Sequence, residues 1–150
     1  MKFTPKDRDF SIKIHDSFAR QKFMQYIDAK LFKLEPGYCE IHIPYNPDLT
    51  QQHGFFHAGI VGTAADNSAG YAAFSLMDKN SSILTVEFKL NLIAPADGEI
   101  LIGRSQVLKY GRTLMICRSD VFVFKNGLEK LCAASQSTMI ELHNTADSRD

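Results

Sequence analysis

One carboxylate stands out among the residues whose types and spacing could do chemistry. Asp66 lies within a run of mostly small residues from Gly59 to Met77, GIVGTAADNSAGYAAFSLM. Aspartate is a poor residue for a helix interior, and an unpaired buried carboxylate is costly. In an apolar cleft, desolvation would raise the pKa of Asp66 and bring its basicity toward that of a general base. The alternative is that Asp66 faces solvent or caps a helix that begins there.

A second candidate group lies nine residues before Asp66, at His57 and Ala58. These residues are expected at the start of a helix, where free backbone N–H groups bind developing negative charge and could form an oxyanion hole. Along one helix, His57 and Asp66 are about 14 Å apart, which is too far to serve one carbonyl. The spacing therefore predicts a homodimer in which one copy supplies the base and the other supplies the oxyanion hole.

Two helices are expected from the apolar pattern. Apolar residues recur every four positions from Ala19 to Leu31, which predicts an amphipathic helix over about 16–32, capped by Asp16 or Ser17. The segment 59–77 predicts a long helix. Its two interior glycines should each cost about 1 kcal/mol relative to alanine, a cost that close packing against a sheet would explain. We therefore expect this helix to be buried across a sheet.

Strands account for most of the remaining chain. Alternation of apolar and polar residues predicts strands at 38–44, 82–93, 100–109, 113–124 and 130–142, and Asn126-Gly127 is a strong hairpin signal. Short connections join the last four strands, so we expect an antiparallel meander. The expected fold class is α+β, with the meander wrapped around the long central helix. The whole chain, 1–150, is expected to form one domain.

Composition excludes several classes of function. The chain has 150 residues and a formal net charge of 0, which disfavours a nucleic-acid partner because phosphate affinity rests on excess cations. It contains no run of 18 apolar residues, and MKFTPKDRDF lacks the apolar region of a secretory signal. The three cysteines, Cys39, Cys117 and Cys132, show no CxxC spacing and indicate reduced thiols in a cytoplasmic protein. His53 and His57 have no third ligand at close spacing, so no metal is expected.

The segment 51–70 resembles the motif of the hotdog-fold acyl-CoA thioesterases of the phenylacetate-pathway (PaaI) type. It reads QQHGFFHAGIVGTAADNSAG. Their pattern is Asn or Gln, a gap, His-Gly-Gly, and then Asp or Glu nine residues after the His. Pro95-Ala96 followed by Gly98, after the first strand of the expected meander, and YGRT in a later hairpin also fit. The resemblance covers about residues 35–141 and implies a hotdog fold, hydrolysis of an acyl-CoA to a free acid and CoA, and assembly as a homodimer or a dimer of dimers, with a homotetramer favoured.

The resemblance also assigns roles to individual residues. Asp66 corresponds to the carboxylate that activates water or attacks the thioester directly. The oxyanion donors correspond to the side-chain amide of Gln51 and the N–H of Ala58, where the family has glycine. His57 corresponds to the motif histidine, which orients the site or assists the leaving thiolate, and Thr85 to a hydroxyl that positions the water in some members. The positions that match the family's contacts to the CoA phosphates are Lys109, Gly111 and Arg112.

Two other functions remain open at this stage. One is a hotdog hydro-lyase acting on 3-hydroxyacyl thioesters, which the nine-residue gap within one helix disfavours. The other is a non-catalytic acyl-CoA-binding protein. In each case CoA is part of the ligand, so no separate cofactor is expected. Arg112 could also be an exposed turn residue without a ligand, and Thr85 is the weakest match because it lies on the polar side of its strand.

Overall fold

A computed structural model describes residues 3–147 of the chain. The helices are α1 (Phe10–Arg20), α2 (Lys22–Tyr26) and α3 (Ala58–Phe74), and the strands are β1 (Lys30–Glu35), β2 (Tyr38–Pro44), β3 (Ser81–Leu92), β4 (Ile100–Tyr110), β5 (Leu114–Lys125) and β6 (Leu128–His143). The six strands form one antiparallel sheet in the order β1-β2-β4-β5-β6-β3, and α3 packs across it. None of these described helices is long and apolar enough to cross a membrane.

The small residues of α3 allow its backbone to approach the sheet closely. A Cβ built on Gly103 of β4 would lie only 2.4 Å from the carbonyl oxygen of Ala64. One turn further on, the hydroxyl of Ser68 lies 2.6 Å from that of Ser105 and donates to the same Ala64 carbonyl. The expected long helix buried against a sheet is therefore confirmed, beginning at Ala58 and ending at Phe74.

The expected α+β hotdog class is confirmed, but the order of one strand differs from a simple meander. Strands β4, β5 and β6 follow one another, whereas β3 pairs with β6 at the far edge. The connection over 93–99 crosses the sheet, because Ile93 N–H donates to Cys132 of β6 and Glu99 N–H donates to Phe124 of β5. Seven extended residues span about 23 Å, enough to pass three strand spacings of about 4.8 Å. The short connection over 93–99 therefore joins β3 and β4 although the two strands are not neighbours in the sheet.

The expected helix over 16–32 is wrong. Gln21 adopts an extended conformation that separates α1 from α2, and Asp28 turns the chain with a φ of 54°. Residues Lys30–Glu35 then form β1, in which Leu31 lies opposite Ile41 of β2. The four-residue apolar spacing suits a helix, but pairing with the β2 edge satisfies the backbone and overrides that preference.

A β-bulge in β3 reverses which side chains face α3. Thr85 lies opposite Met139 of β6, whereas Glu87 lies opposite the next residue, Thr138, so Val86 is an extra residue. After the bulge, Phe88 packs near Gly62 of α3. An inserted residue shifts a period-two pattern by one position. Thr85 and Phe88 therefore both point toward the helix although they are three residues apart.

All three cysteines are free and buried in the core. Cys39 belongs to β2, Cys117 to β5 and Cys132 to β6. Each has an exposed fraction of 1% or less, and burial raises the pKa of each thiol. They are packing residues of the sheet.

Candidate active site

Asp66 is half-buried on the face of α3 that looks toward β3. The Thr85 hydroxyl donates to its Oδ1 at 2.8 Å. Burial raises the pKa of Asp66, and the hydrogen bond from Thr85 offsets part of that effect. The carboxylate is therefore more basic than an exposed aspartate and is oriented by one neutral donor, as a base or nucleophile requires.

The position of Thr85 depends on the bulge. Alternation along β3 places Thr85 with the polar residues, away from the core. The inserted Val86 turns it inward, where its hydroxyl lies 2.8 Å from Asp66 and 3.3 Å from Met139 Sδ. The weakest sequence match thus contacts the candidate carboxylate directly.

The start of α3 presents the second half of the candidate site. His57 caps the helix, because its Nδ1 accepts the N–H of Gly59 at 2.9 Å. The Ala58 N–H, at the first helical position, has no acceptor among residues 3–147. The Gln51 side-chain carbonyl accepts the N–H of His53. That contact leaves the Gln51 NH₂ group to donate elsewhere.

Within one chain, the two halves lie in separate clefts. Gln51 and Ala58 line a mostly apolar cleft of about 450 Å³, with walls formed by residues such as Phe55 and Leu92. Asp66 and Thr85 line a different cleft of about 830 Å³. Eight residues of helix separate Ala58 from Asp66, about 12 Å along the axis. A single chain cannot apply both halves to one thioester.

The candidate CoA contacts lie in the β4–β5 hairpin and line neither cleft. Lys109 and Arg112 are exposed. Gly111 donates its N–H to the Leu114 carbonyl at 3.0 Å, and a Cβ there would lie 2.5 Å from the same oxygen. The glycine is thus explained by the turn itself. Tyr110 of this hairpin contacts Lys6, so the hairpin lies near the end of α3 opposite to Ala58.

One cluster among the described residues has the composition of a metal site. Asp78, Glu141 and His143 offer ligand atoms within 4.8 Å of one another. The ammonium of Lys6, however, lies 3.0 Å from Asp78 and 3.8 Å from Glu141. Lys6 therefore offsets part of the negative charge of the two carboxylates and ties the N-terminal segment to them.

Sequence reasoning missed the other wall of the Asp66 cleft. The α1–α2 segment and the C-terminal half of α3 contribute polar residues to it, namely Ser17, Arg20, Gln21, Lys22, Gln25, Asn67 and Tyr71. The residue next to Asp66, Asn67, was visible as a second polar residue in a small-residue helix. Nothing in the local pattern indicated that the N-terminal helices would reach Asp66.

The six-stranded sheet wrapped around α3 is the hotdog arrangement. The family model described as "Thioesterase superfamily" matches residues 53–130. The chain belongs to this superfamily.

Solved structures agree with that assignment. A thioesterase family protein from Silicibacter pomeroyi is 46% identical, with a TM-score of 0.88 over 89% of this chain and 98% of the other. A Haemophilus influenzae thioesterase is 15% identical, with a TM-score of 0.79 over 97% and 95%. The Escherichia coli PaaI protein from the phenylacetic acid degradation operon is 13% identical, also with a TM-score of 0.79, over 91% and 96%. The last two show the fold alone.

Proposed function

We propose that this thioesterase-superfamily member hydrolyses an acyl-CoA to a carboxylic acid and free CoA. The observation that carries the proposal is the Asp66 carboxylate, whose pKa burial raises and whose Oδ1 is held by Thr85 at 2.8 Å. Family membership supports a thioester substrate. CoA as the thiol is supported by the exposed cations Lys109 and Arg112, which can donate hydrogen bonds to the phosphates of CoA.

The proposed chemistry uses both halves of the site. Asp66 takes a proton from water as the water oxygen bonds to the thioester carbon, or attacks that carbon itself and forms an anhydride that water later opens. The carbonyl oxygen becomes an oxyanion and accepts hydrogen bonds from the Ala58 N–H and the Gln51 NH₂. As the C–S bond breaks, CoA leaves as a thiolate. Because His57 Nδ1 accepts a hydrogen bond, a neutral ring carries its proton on Nε2, from which it can donate a hydrogen bond to the thiolate. The proton that Asp66 took from water then passes to the thiolate or to solvent, which restores the carboxylate.

A second copy of the chain is proposed to complete each site. The outer edge of β3 is unpaired among the described residues, and Leu84, Val86 and Leu92 on this strand are each more than half exposed. Two β3 edges in antiparallel register would form one continuous sheet and cover these apolar groups. This arrangement would bring Asp66 of one copy toward Ala58 of the other. A dimer of such dimers is the favoured assembly.

The decisive experiment is release of free thiol from a panel of acyl-CoAs. Hydrolysis releases CoA with its thiol, a hydro-lyase converts the substrate without releasing thiol, and a binding protein leaves it intact. Asp66→Asn is the matched control for hydrolysis by this site. No thiol release from any member of the panel would contradict the proposal.

The buried, reduced cysteines support a cytoplasmic location, which we include in the proposal.

A variant of Arg112 separately tests whether CoA is the thiol portion of the substrate. Arg112→Ala should raise the KM for acyl-CoA about 10-fold with little change in kcat, because a phosphate contact remote from the thioester contributes uniform binding. The same acyl group on N-acetylcysteamine lacks the nucleotide and should be unaffected. Equal loss with both substrates would show that Arg112 has a structural role, and no loss with either would show an exposed arginine without a ligand.

A further inference from the structure

The N-terminal segment that precedes α1, residues 3–9, contacts the β4–β5 hairpin that carries the candidate CoA contacts. The Lys6 ammonium lies 5.3 Å from the centroid of the Tyr110 ring, at the end of β4. Lys109 and Arg112 lie on either side of Tyr110 in the sequence and are both exposed. The segment lies before the part of the chain that matches the family model, so family membership gives it no role.

Two carboxylates hold the Lys6 ammonium in this position. Its Nζ donates to Asp78 Oδ2 at 3.0 Å and lies 3.8 Å from Glu141 Oε2. The Glu141 side chain is fully buried, and its Oε2 accepts no hydrogen bond from the described residues. Because a buried carboxylate without a nearby cation is strongly destabilising, Glu141 keeps the ammonium close.

Glu141 also holds the other side of the hairpin. Its backbone N–H donates to the Thr113 carbonyl at 3.0 Å, while its Oε1 accepts the N–H of Asp78 at 3.1 Å. The hairpin is therefore held by β6 at Thr113 and by the N-terminal segment at Tyr110. Arg112 lies in the turn between these two contacts.

The N-terminal segment is itself anchored on both sides of Lys6. The Phe3 ring packs on Gly37, where an added Cβ would lie only 2.6 Å from a ring carbon. On the other side of Lys6, Asp7 is buried, and its Oδ2 lies 3.9 Å from the ammonium of Lys13 in α1. Lys6 therefore extends from a fixed stretch of backbone, and its ammonium can restrict the hairpin instead of following it.

We propose that Lys6 positions the β4–β5 hairpin for CoA by holding the Tyr110 ring. Lys109 and Arg112 are thereby presented to the phosphates before CoA binds. A hairpin that is ordered in advance loses less conformational entropy on binding, which raises the affinity. Lys6 is a positioning residue, because its own charge is engaged by the two carboxylates. This inference rests on the proposed function, which assigns the hairpin to CoA.

Free CoA is the binding probe, because its binding does not require hydrolysis. Isothermal titration calorimetry should show that Lys6→Met weakens CoA binding at least about 3-fold, the scale of a lost cation–π contact. Lys6→Arg should restore most of the affinity, since arginine also pairs with carboxylates and stacks on aromatic rings. Lys79→Met is the matched control, because it removes the same charge at an exposed lysine of the α3–β3 connection and should leave the affinity unchanged.

Hydrolysis gives a second readout of the same variant. Lys6→Met should raise the KM for acyl-CoA by a similar factor with little change in kcat, because the hairpin contributes uniform binding. The N-acetylcysteamine thioester of the same acyl group lacks the phosphates and should be unaffected. A general loss of stability would instead lower turnover of both substrates.

A double-mutant cycle tests whether Lys6 acts through Tyr110. Tyr110→Leu should weaken CoA binding by a similar factor, and the double variant should bind no more weakly than either single variant, because each removes the same contact. Hydrogen exchange at the Gly111 amide should be faster in Lys6→Met and unchanged in Lys79→Met. Tyr110→Leu leaves the ion pairs of Lys6 in place, so it decides the question if Lys6→Met fails to fold.

The outcomes separate this inference from the proposed function. Unchanged CoA binding in Lys6→Met or Tyr110→Leu overturns the inference, and so do losses that add in the double variant. If Arg112→Ala weakens CoA binding but these variants do not, the proposed function stands without the inference. If Lys6→Met weakens CoA binding but no acyl-CoA is hydrolysed, the hydrolase proposal fails and the inference stands. A wild-type protein that does not bind CoA overturns both.

Discussion

The burial that makes the Asp66 carboxylate more basic also destabilises the folded protein when that carboxylate is charged. Burial raises the pKa of Asp66, so the folded state favours the protonated form. When the pH is low enough for the aspartate to be protonated in both the folded and the unfolded state, its raised pKa does not change the free energy of unfolding. It destabilises the fold as the pH rises above the unfolded value of about 3.9. The candidate site therefore carries a cost at neutral pH that a neutral isostere would not.

Asp66→Asn is expected to lower kcat by at least about 100-fold, because it removes the only carboxylate at this position of α3. The same change should raise the melting temperature at pH 7 by a few °C, and this gain should disappear near pH 3. Activity assays and thermal melts at the two pH values check both parts. Near-normal turnover by the variant would exclude Asp66 as the catalytic group.

Thr85→Val is expected to shift the pH dependence of the reaction. The hydrogen bond from Thr85 lowers the pKa of Asp66, so its loss should raise that pKa further and move the acidic limb of the kcat/KM profile to higher pH. A loss of about 10-fold in kcat at pH 7 should accompany the shift. Thr138→Val, in the neighbouring strand, is the control. An unshifted limb would mean that Thr85 does not tune the base.

The residues of the site were predictable to different extents. Asp66 was visible because a carboxylate is unusual in a helix of small residues, and His57, Ala58 and Gln51 followed from motif spacing. The contact from Thr85 depends on a bulge, which leaves the alternation of the sequence unchanged. The wall of the cleft at Gln21 depends on long-range packing, to which a local pattern is insensitive.

At the scale of elements, the contact between α3 and β4 is the closest packing that the small residues permit. Gly103→Ala should destabilise the protein by about 1–3 kcal/mol, because its Cβ would lie 2.4 Å from the Ala64 carbonyl oxygen and force the helix away. Gly70→Ala is the matched comparison. Its Cβ would touch nothing within 4 Å, and alanine should stabilise the helix by up to about 1 kcal/mol. Denaturant unfolding that gives both variants the same sign would contradict this packing.

Most elements could be predicted from periodicity, but their pairing could not. The long helix and all five expected strands are present within a few residues of their expected ends. The errors are the helix over 16–32 and the neighbour of β3. In each case local preference was compatible with two structures, and strand pairing selected one of them: β1 pairs with the adjacent β2, and β3 pairs with the distant β6.

For the whole molecule, the proposed sharing of the two half-sites between copies would make assembly a condition for activity. Val86→Lys should dissociate the proposed dimer and lower kcat at least about 100-fold, because a charge would enter the covered β3 edge. Sedimentation of the wild-type and variant proteins tests this directly. Leu128→Lys, at a residue that is 75% exposed in the β5–β6 hairpin, should change neither property. An active monomer would contradict the shared site.

The burial of the three cysteines determines how the proposed hydrolysis of acyl-CoA is best measured. A thiol reacts with a disulfide reagent such as dithionitrobenzoate only as an accessible thiolate. Cys117 and Cys132 have pKa values raised to about 12 and about 11, and Cys39 is also fully buried. The folded protein should therefore contribute almost no colour to a continuous assay, in which every mole of yellow product reports one mole of released CoA. A slow rise in colour without substrate would itself record unfolding of the sheet.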